Sequence, residues 1–205
     1  MLRRVSRARN PAVSLAVGLA GALVAAEAPA HAEDTPPSVT KSGYAQLFAT
    51  AFLGDGLRFN NPYRLATPLG SSAESVSRTA AYTDVGIAAT LGAPAGLQHG
   101  LALRMSFALE GVRQAVLAPS YLLWRRWTRF AAYGRVGLPI VLSPDATWGL
   151  ETAAGGVWFP RAGIGVAAEL VGDVFYGAGT HEIATPAYPI LSGQLGVIVA
   201  YEVLP

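Results

Sequence analysis

Leu101-Ala102-Leu103-Arg104-Met105-Ser106-Phe107-Ala108-Leu109-Glu110 carries the plainest structural signal in the chain. Leu101, Leu103, Met105, Phe107 and Leu109 occupy every second position, with Ala102, Arg104, Ser106, Ala108 and Glu110 between them. Successive side chains of a β-strand point to opposite faces, so the segment reads as a strand with one apolar and one polar face. A helix would scatter the same residues around its circumference.

The period recurs along the chain. Val85, Ile87, Ala89 and Leu91 alternate with Asp84, Gly86, Ala88 and Thr90. Phe130, Ala132, Val136, Leu138 and Ile140 alternate with Arg129, Tyr133 and Arg135. Trp148, Leu150, Thr152 and Ala154 alternate with Gly149, Glu151 and Ala153. Ile164, Val166, Ala168 and Leu170 alternate with Gly165, Ala167, Glu169 and Asp173. Leu191, Leu195, Val197, Val199, Tyr201 and Val203 alternate with Ser192, Gln194, Gly196 and Glu202. Two segments are less regular, Ser120 to Trp127 and Tyr44 to Leu53. In the latter, Gln46 and Thr50 share a face with Tyr44, Phe48 and Phe52, which leaves its orientation open. The result is eight strands of roughly ten residues, the length a tilted strand needs to cross a bilayer. Eight is also the smallest strand number of transmembrane barrels.

The expected connections lie at 55–78, 93–99, 112–119, 125–128, 143–147, 160–163 and 177–189. On the whole, longer and shorter ones alternate, the arrangement of an up-and-down barrel with long outer loops and short periplasmic turns. Aromatic residues gather near the strand ends. Trp124, Trp127, Trp158 and Tyr201 fall at the short-turn end, and Tyr82, Trp148 and Tyr176 at the other. Tyr and Trp favour the headgroup region, so these seven are the expected aromatic girdles.

The fold class expected is therefore all-β, an eight-stranded antiparallel up-and-down transmembrane β-barrel over residues 42–205. In strand count, alternation and loop pattern the chain resembles the small outer-membrane barrels of the OmpA and OmpX type. That resemblance implies outer-membrane lipid and the barrel-assembly machinery as partners. One feature departs from it: such barrels usually end on an aromatic residue, whereas this chain ends Tyr201-Glu202-Val203-Leu204-Pro205.

The first residues set the compartment. Arg3, Arg4, Arg7 and Arg9 precede an apolar stretch from Ala12 to Ala26, and Ala30-His31-Ala32 supplies a small-residue cleavage site. Residues 1–32 thus read as a secretory signal peptide, and 33–41 as a polar, disordered lead-in. Without the signal, eleven Lys and Arg stand against twelve Asp and Glu, so the basic balance of the full chain carries no indication of nucleic-acid binding. There is no cysteine, which excludes disulfides and thiol chemistry.

With apolar faces outward, the polar faces line the lumen. An eight-stranded barrel is just wide enough to be filled by side chains. Charges confined there must pair, so Arg104, Arg129 and Arg135 are expected to bridge Asp84, Glu151 and Glu169 and to plug the lumen. Catalytic signals are weak. Beyond the signal only His99 and His181 remain, His99 in a short turn and His181 in the last loop. Neither shows a His-x-Ser spacing, although Ser192 follows on the last strand. Gly163-Ile164-Gly165-Val166-Ala167-Ala168 matches a dinucleotide fingerprint but runs into a strand rather than a helix. No zinc or calcium spacing is present among the carboxylates, including Asp55, Glu74, Asp145 and Glu182 in the outer loops. The expectation is a non-catalytic barrel without cofactor, serving envelope structure or binding a surface ligand through loops 55–78 and 177–189. The alternatives are a soluble periplasmic lipocalin-like lipid carrier, with the same strands turned inside out, and a lipid-modifying barrel enzyme.

Overall fold

The structure, a computed structural model, describes residues 44–59, 77–144, 146–176 and 187–203. The proposed signal peptide and lead-in, and most of loops 55–78 and 177–189, lie outside the described residues.

Among the described residues there are ten strand segments: β1 (Ala45–Arg58), β2 (Ser77–Arg78), β3 (Tyr82–Gly92), β4 (Leu97–Ala108), β5 (Ala115–Arg126), β6 (Phe130–Gly137), β7 (Ile140–Ser143), β8 (Thr147–Arg161), β9 (Ile164–Tyr176) and β10 (Ala187–Val203). They make eight staves. β2 prolongs the β3 stave along the far end of β1, pairing Leu57 with Arg78. β6 and β7 form one stave interrupted at Leu138-Pro139, where proline has no N–H to offer the ladder. Every neighbouring pair is antiparallel, and β1 pairs with β10 from Ala45↔Val203 to Arg58↔Ile190, which closes the barrel.

The outward face is the apolar one. Leu101 is 70% exposed, Leu195 69% and Ile87 65%, and comparable residues continue around all eight staves. The inside-out lipocalin arrangement is therefore not adopted. β1 resolves the ambiguity left by its composition: Tyr44, Phe48 and Phe52 point inward with Gln46, and Leu47, Ala51 and Leu53 point outward.

The strands run further than the hydrophobic period indicates. β1 continues through Asp55 to Arg58, β4 starts at Leu97 and so includes His99, β5 starts at Ala115, and β10 starts at Ala187. The ladder depends on backbone pairing and not on side-chain polarity, so it persists where the apolar pattern fades. Short connections at 93–96, 127–129 and 162–163 define a turn end, shared with Tyr44 and Val203. The tightest joins Arg161 to Ile164 through Ala162-Gly163, with Gly163 at φ 81°, a left-handed conformation suited to glycine. The opposite rim is the loop end.

Candidate functional site: the barrel interior and its rims

Strand parity sends five charged side chains to one level of the interior: Asp84 from β3, Arg104 from β4, Arg135 from β6, Glu151 from β8 and Glu169 from β9, all buried. Arg104 Nη1 donates to Asp84 Oδ2 at 2.8 Å, and its Nη2 crosses the lumen to Glu151 Oε2 at 2.5 Å. Gly86 lies opposite Arg104 in the ladder. A Cβ there would stand 2.7 Å from Arg104 Cγ, so the missing side chain leaves space for the arginine stem. Arg135 donates through Nη1 to Glu151 and through Nη2 to Glu169, and its Nε lies 3.2 Å from Glu169 Oε2. Ser106 Oγ donates to Asp84 Oδ2 at 2.7 Å. These forked, charge-assisted contacts are the geometry guanidinium groups favour.

The cluster is not electroneutral by formal count. Asp173 on β9 lines the same cavity and pairs in register with Glu151, and it makes no ion pair among the described residues. Two guanidinium groups thus face four carboxyl groups.

Towards the turn end lies an apolar layer that the period did not reveal. Phe48, Phe52, Leu122, Trp124, Tyr133, Val157, Phe159 and Ile198 pack together there. Trp124 stacks on Tyr133 at 5.8 Å between ring centroids and meets Phe48 at 4.6 Å. Below it, Arg126 lies over the Phe159 ring and bonds Glu202 at 3.0 Å. Towards the loop end the interior opens into a cavity of about 130 Å³, lined among others by Asp84, Arg104, Glu151, Asp173, Ser192 and Gln194. Such a polar space has room for ordered water.

Three sequence-based placements need correction. Arg129 is not in the charged cluster: it lies in the β5–β6 turn, exposed, where its carbonyl accepts from Phe159 N–H. Its parity is inward, but the strand begins only at Phe130, so parity no longer directs its side chain. Trp124 is not on the exterior; at 2% exposure it is part of the apolar layer. Its ladder partner Gln98 faces inward on β4, and pairing sends both to the same side. Tyr82 also turns inward, where its Oη donates to Ser192 Oγ at 2.9 Å and accepts from Gln194 Nε2 at 3.0 Å. Trp127, Trp148, Trp158, Tyr176 and Tyr201 are exposed, and Trp148 lies beside Tyr176 at the loop end with ring centroids 5.2 Å apart.

The residues weighed for catalysis do not converge. His99 is on the outer side of β4 with Nδ1 2.5 Å from Tyr121 Oη, whereas Ser192 faces the lumen. His181, Glu74, Asp145 and Glu182 lie outside the described residues. Gly165 to Ala168 run on as strand β9 to Tyr176, where the fingerprint requires a helix. Among the described residues no group of three His, Cys, Asp or Glu side chains is placed to hold a metal ion. Asp55, at the loop-end rim, is engaged by Arg78 at 2.6 Å. That guanidinium holds the Asp55 carboxyl below the usual range, and the Arg78 pKa is raised in return.

Closed pairing of eight staves, an apolar exterior and a charged interior are the attributes by which the chain is best compared with solved structures. The attachment invasion locus protein Ail of Yersinia pestis is similar, with 8% identity over 78% of this chain and 99% of that one, at a TM-score of 0.50. The chain has the fold of the small outer-membrane β-barrels. Other similar structures are the N-terminal barrel domain of Pseudomonas aeruginosa OprF, with 12% identity, 75% and 97% coverage and TM-score 0.43, and Neisserial surface protein A, with 11% identity, 75% and 95% coverage and TM-score 0.43. No protein-family model and no curated protein matches the sequence. The likeness at these identities is one of fold, so what this barrel does rests on its own residues.

Proposed function

We propose that this chain is an outer-membrane barrel protein without catalytic activity, whose lumen is plugged and whose role is structural or exerted through its loops. The observation that carries the reading is the reversal of the usual soluble pattern. Leu, Ile and Val side chains cover the exterior of a closed barrel, and the Arg104–Arg135 ion-pair cluster occupies its inside. An exterior of that kind is stable against hydrocarbon and a liability in water. The plug reading is supported by two layers in series, the ionic cluster and the aromatic layer at Trp124. Export by a cleaved signal at 1–32 and assembly by the barrel machinery complete the proposal, with Tyr201, outward on the last strand, as the aromatic side chain the machinery would read. Loops 55–78 and 177–189 are the proposed contact sites for a surface ligand.

The test is retention in washed outer-membrane fractions together with gel mobility before and after boiling. A retained species whose mobility changes on boiling is the expected result. Release by washing with no change of mobility would overturn the membrane assignment.

A further inference from the structure

The turn-end rim concentrates cations on one side. Arg125, Arg129 and Arg161 are all exposed, and none forms an ion pair among the described residues. They come from β5, the β5–β6 turn and the end of β8, which are neighbours through the β5–β6 and β6–β8 ladders. Arg126, the remaining arginine at this end, is already engaged by Glu202. Among the described residues of the loop end, Arg78 is shared between Asp55 and Glu110, and Arg113 stands exposed without an ion pair but alone.

Beside these arginines is an aromatic shelf on the outer face. Phe130 and Trp158 are ladder partners, 59% and 49% exposed. Trp127 adjoins them, its N–H donating to Phe130 O at 2.7 Å, and the Arg125 guanidinium carbon lies 5.5 Å from the Trp127 ring centroid. Aromatic side chains of this kind rest at headgroup depth. A guanidinium presents a planar fork that matches two phosphate oxygens.

We propose that this rim is a binding face for the headgroup phosphate of an anionic phospholipid, with Trp127, Phe130 and Trp158 against its upper acyl region. The inference rests on the membrane reading above. A zwitterionic lipid fits less well, since its own ammonium neutralises the phosphate and leaves three cations uncompensated. The partner is a lipid surface with excess negative charge in the leaflet that contacts the turns.

The test uses the full barrel carrying Trp148→Phe, which removes the loop-end tryptophan, reconstituted into phosphatidylcholine vesicles. A minority of either brominated phosphatidylglycerol or brominated phosphatidylcholine is included, and tryptophan quenching is read. Brominated phosphatidylglycerol is expected to be preferred by at least about five-fold, the factor one guanidinium contributes near a charged surface. The preference should vanish in Arg125→Gln/Arg129→Gln/Arg161→Gln, with the mobility change on boiling retained. Equal quenching by the two lipids in the starting protein, or a preference that survives the triple substitution, would overturn the lipid site while leaving the membrane reading intact. Failure to insert, with no mobility change, would overturn both.

Discussion

Arg129 and Arg135 are the same residue type on the same stretch of chain, and their positions set opposite expectations. Arg135 neutralises Glu151 and Glu169 in the interior, so Arg135→Ala leaves two buried carboxylates without that partner. Breaking a buried pair from one side costs about 3–5 kcal/mol. Arg129 touches no charge among the described residues, and Arg129→Ala should shift stability by less than about 0.5 kcal/mol, as surface substitutions do. Urea unfolding of the refolded barrel in vesicles measures both, and similar losses would contradict the ion-pair assignment. Asp173 gives a third case with the opposite sign. It adds a carboxyl beside Glu151 without an ion pair of its own. A carboxyl buried without a counter-charge gives up hydration that nothing in the interior restores, a cost of roughly 1–3 kcal/mol for an uncompensated polar group, to which the neighbouring Glu151 charge adds. Asp173→Asn keeps the shape and should raise the urea midpoint at neutral pH; a lowered midpoint would mean that Asp173 is compensated in the native protein.

At the scale of the strand, the inward glycines accommodate the rings opposite them. Gly155 on β8 pairs with Tyr133 on β6, and a Cβ at Gly155 would stand 2.4 Å from Tyr133 Cζ. Gly155→Val must displace that ring from its stack on Trp124, at a cost of roughly 1–3 kcal/mol. Gly193, on the outward face of β10, has nothing within 4 Å of such a Cβ, and Gly193→Ala should leave the unfolding midpoint unchanged or slightly raised. Equal losses in the two variants would refute the packing argument. The same contrast explains what the sequence could tell. Hydrocarbon, the proposed surroundings of the exterior, is uniform, so each outward residue would meet it independently, and Leu101 to Leu109 carries a clean period. The interior is a packed set of unlike partners, where a tryptophan, an arginine and a glycine all serve. Phe48, Phe52 and Trp124 therefore look no different in type from outward residues. Trp124 shares the parity of Ser120 on its own strand, a weak sign, and its register with Gln98 on the neighbouring strand makes the assignment firm. The ionic cluster was legible except for Arg129, because Arg104, Arg135, Glu151 and Glu169 lie within long alternating runs that fix their parity, whereas Arg129 precedes the first residue of its strand.

The whole barrel has its two interior layers stacked along one axis, and a solute crossing it would have to pass both. Trp124→Ala removes the largest fully buried side chain of the apolar layer but leaves Arg104 and Arg135 bridging β3, β4, β6, β8 and β9. Arg104→Ala opens the ionic layer but leaves Phe48, Trp124, Tyr133 and Phe159 packed beneath it. Resistances in series are set by the larger, so neither single variant should conduct above the background of the unaltered barrel in planar bilayers. Only the double variant Trp124→Ala/Arg104→Ala should show discrete channel events, provided the mobility change on boiling confirms that it has folded. A stable conductance in the unaltered protein would remove the basis for a plugged lumen. Conductance in the Trp124→Ala variant alone would show that the ionic layer is passable and that the aromatic layer forms the seal. An eight-stranded wall encloses little more than side-chain volume, so under the proposed plugged reading the interior would become a conduit only where that volume has been vacated at both levels.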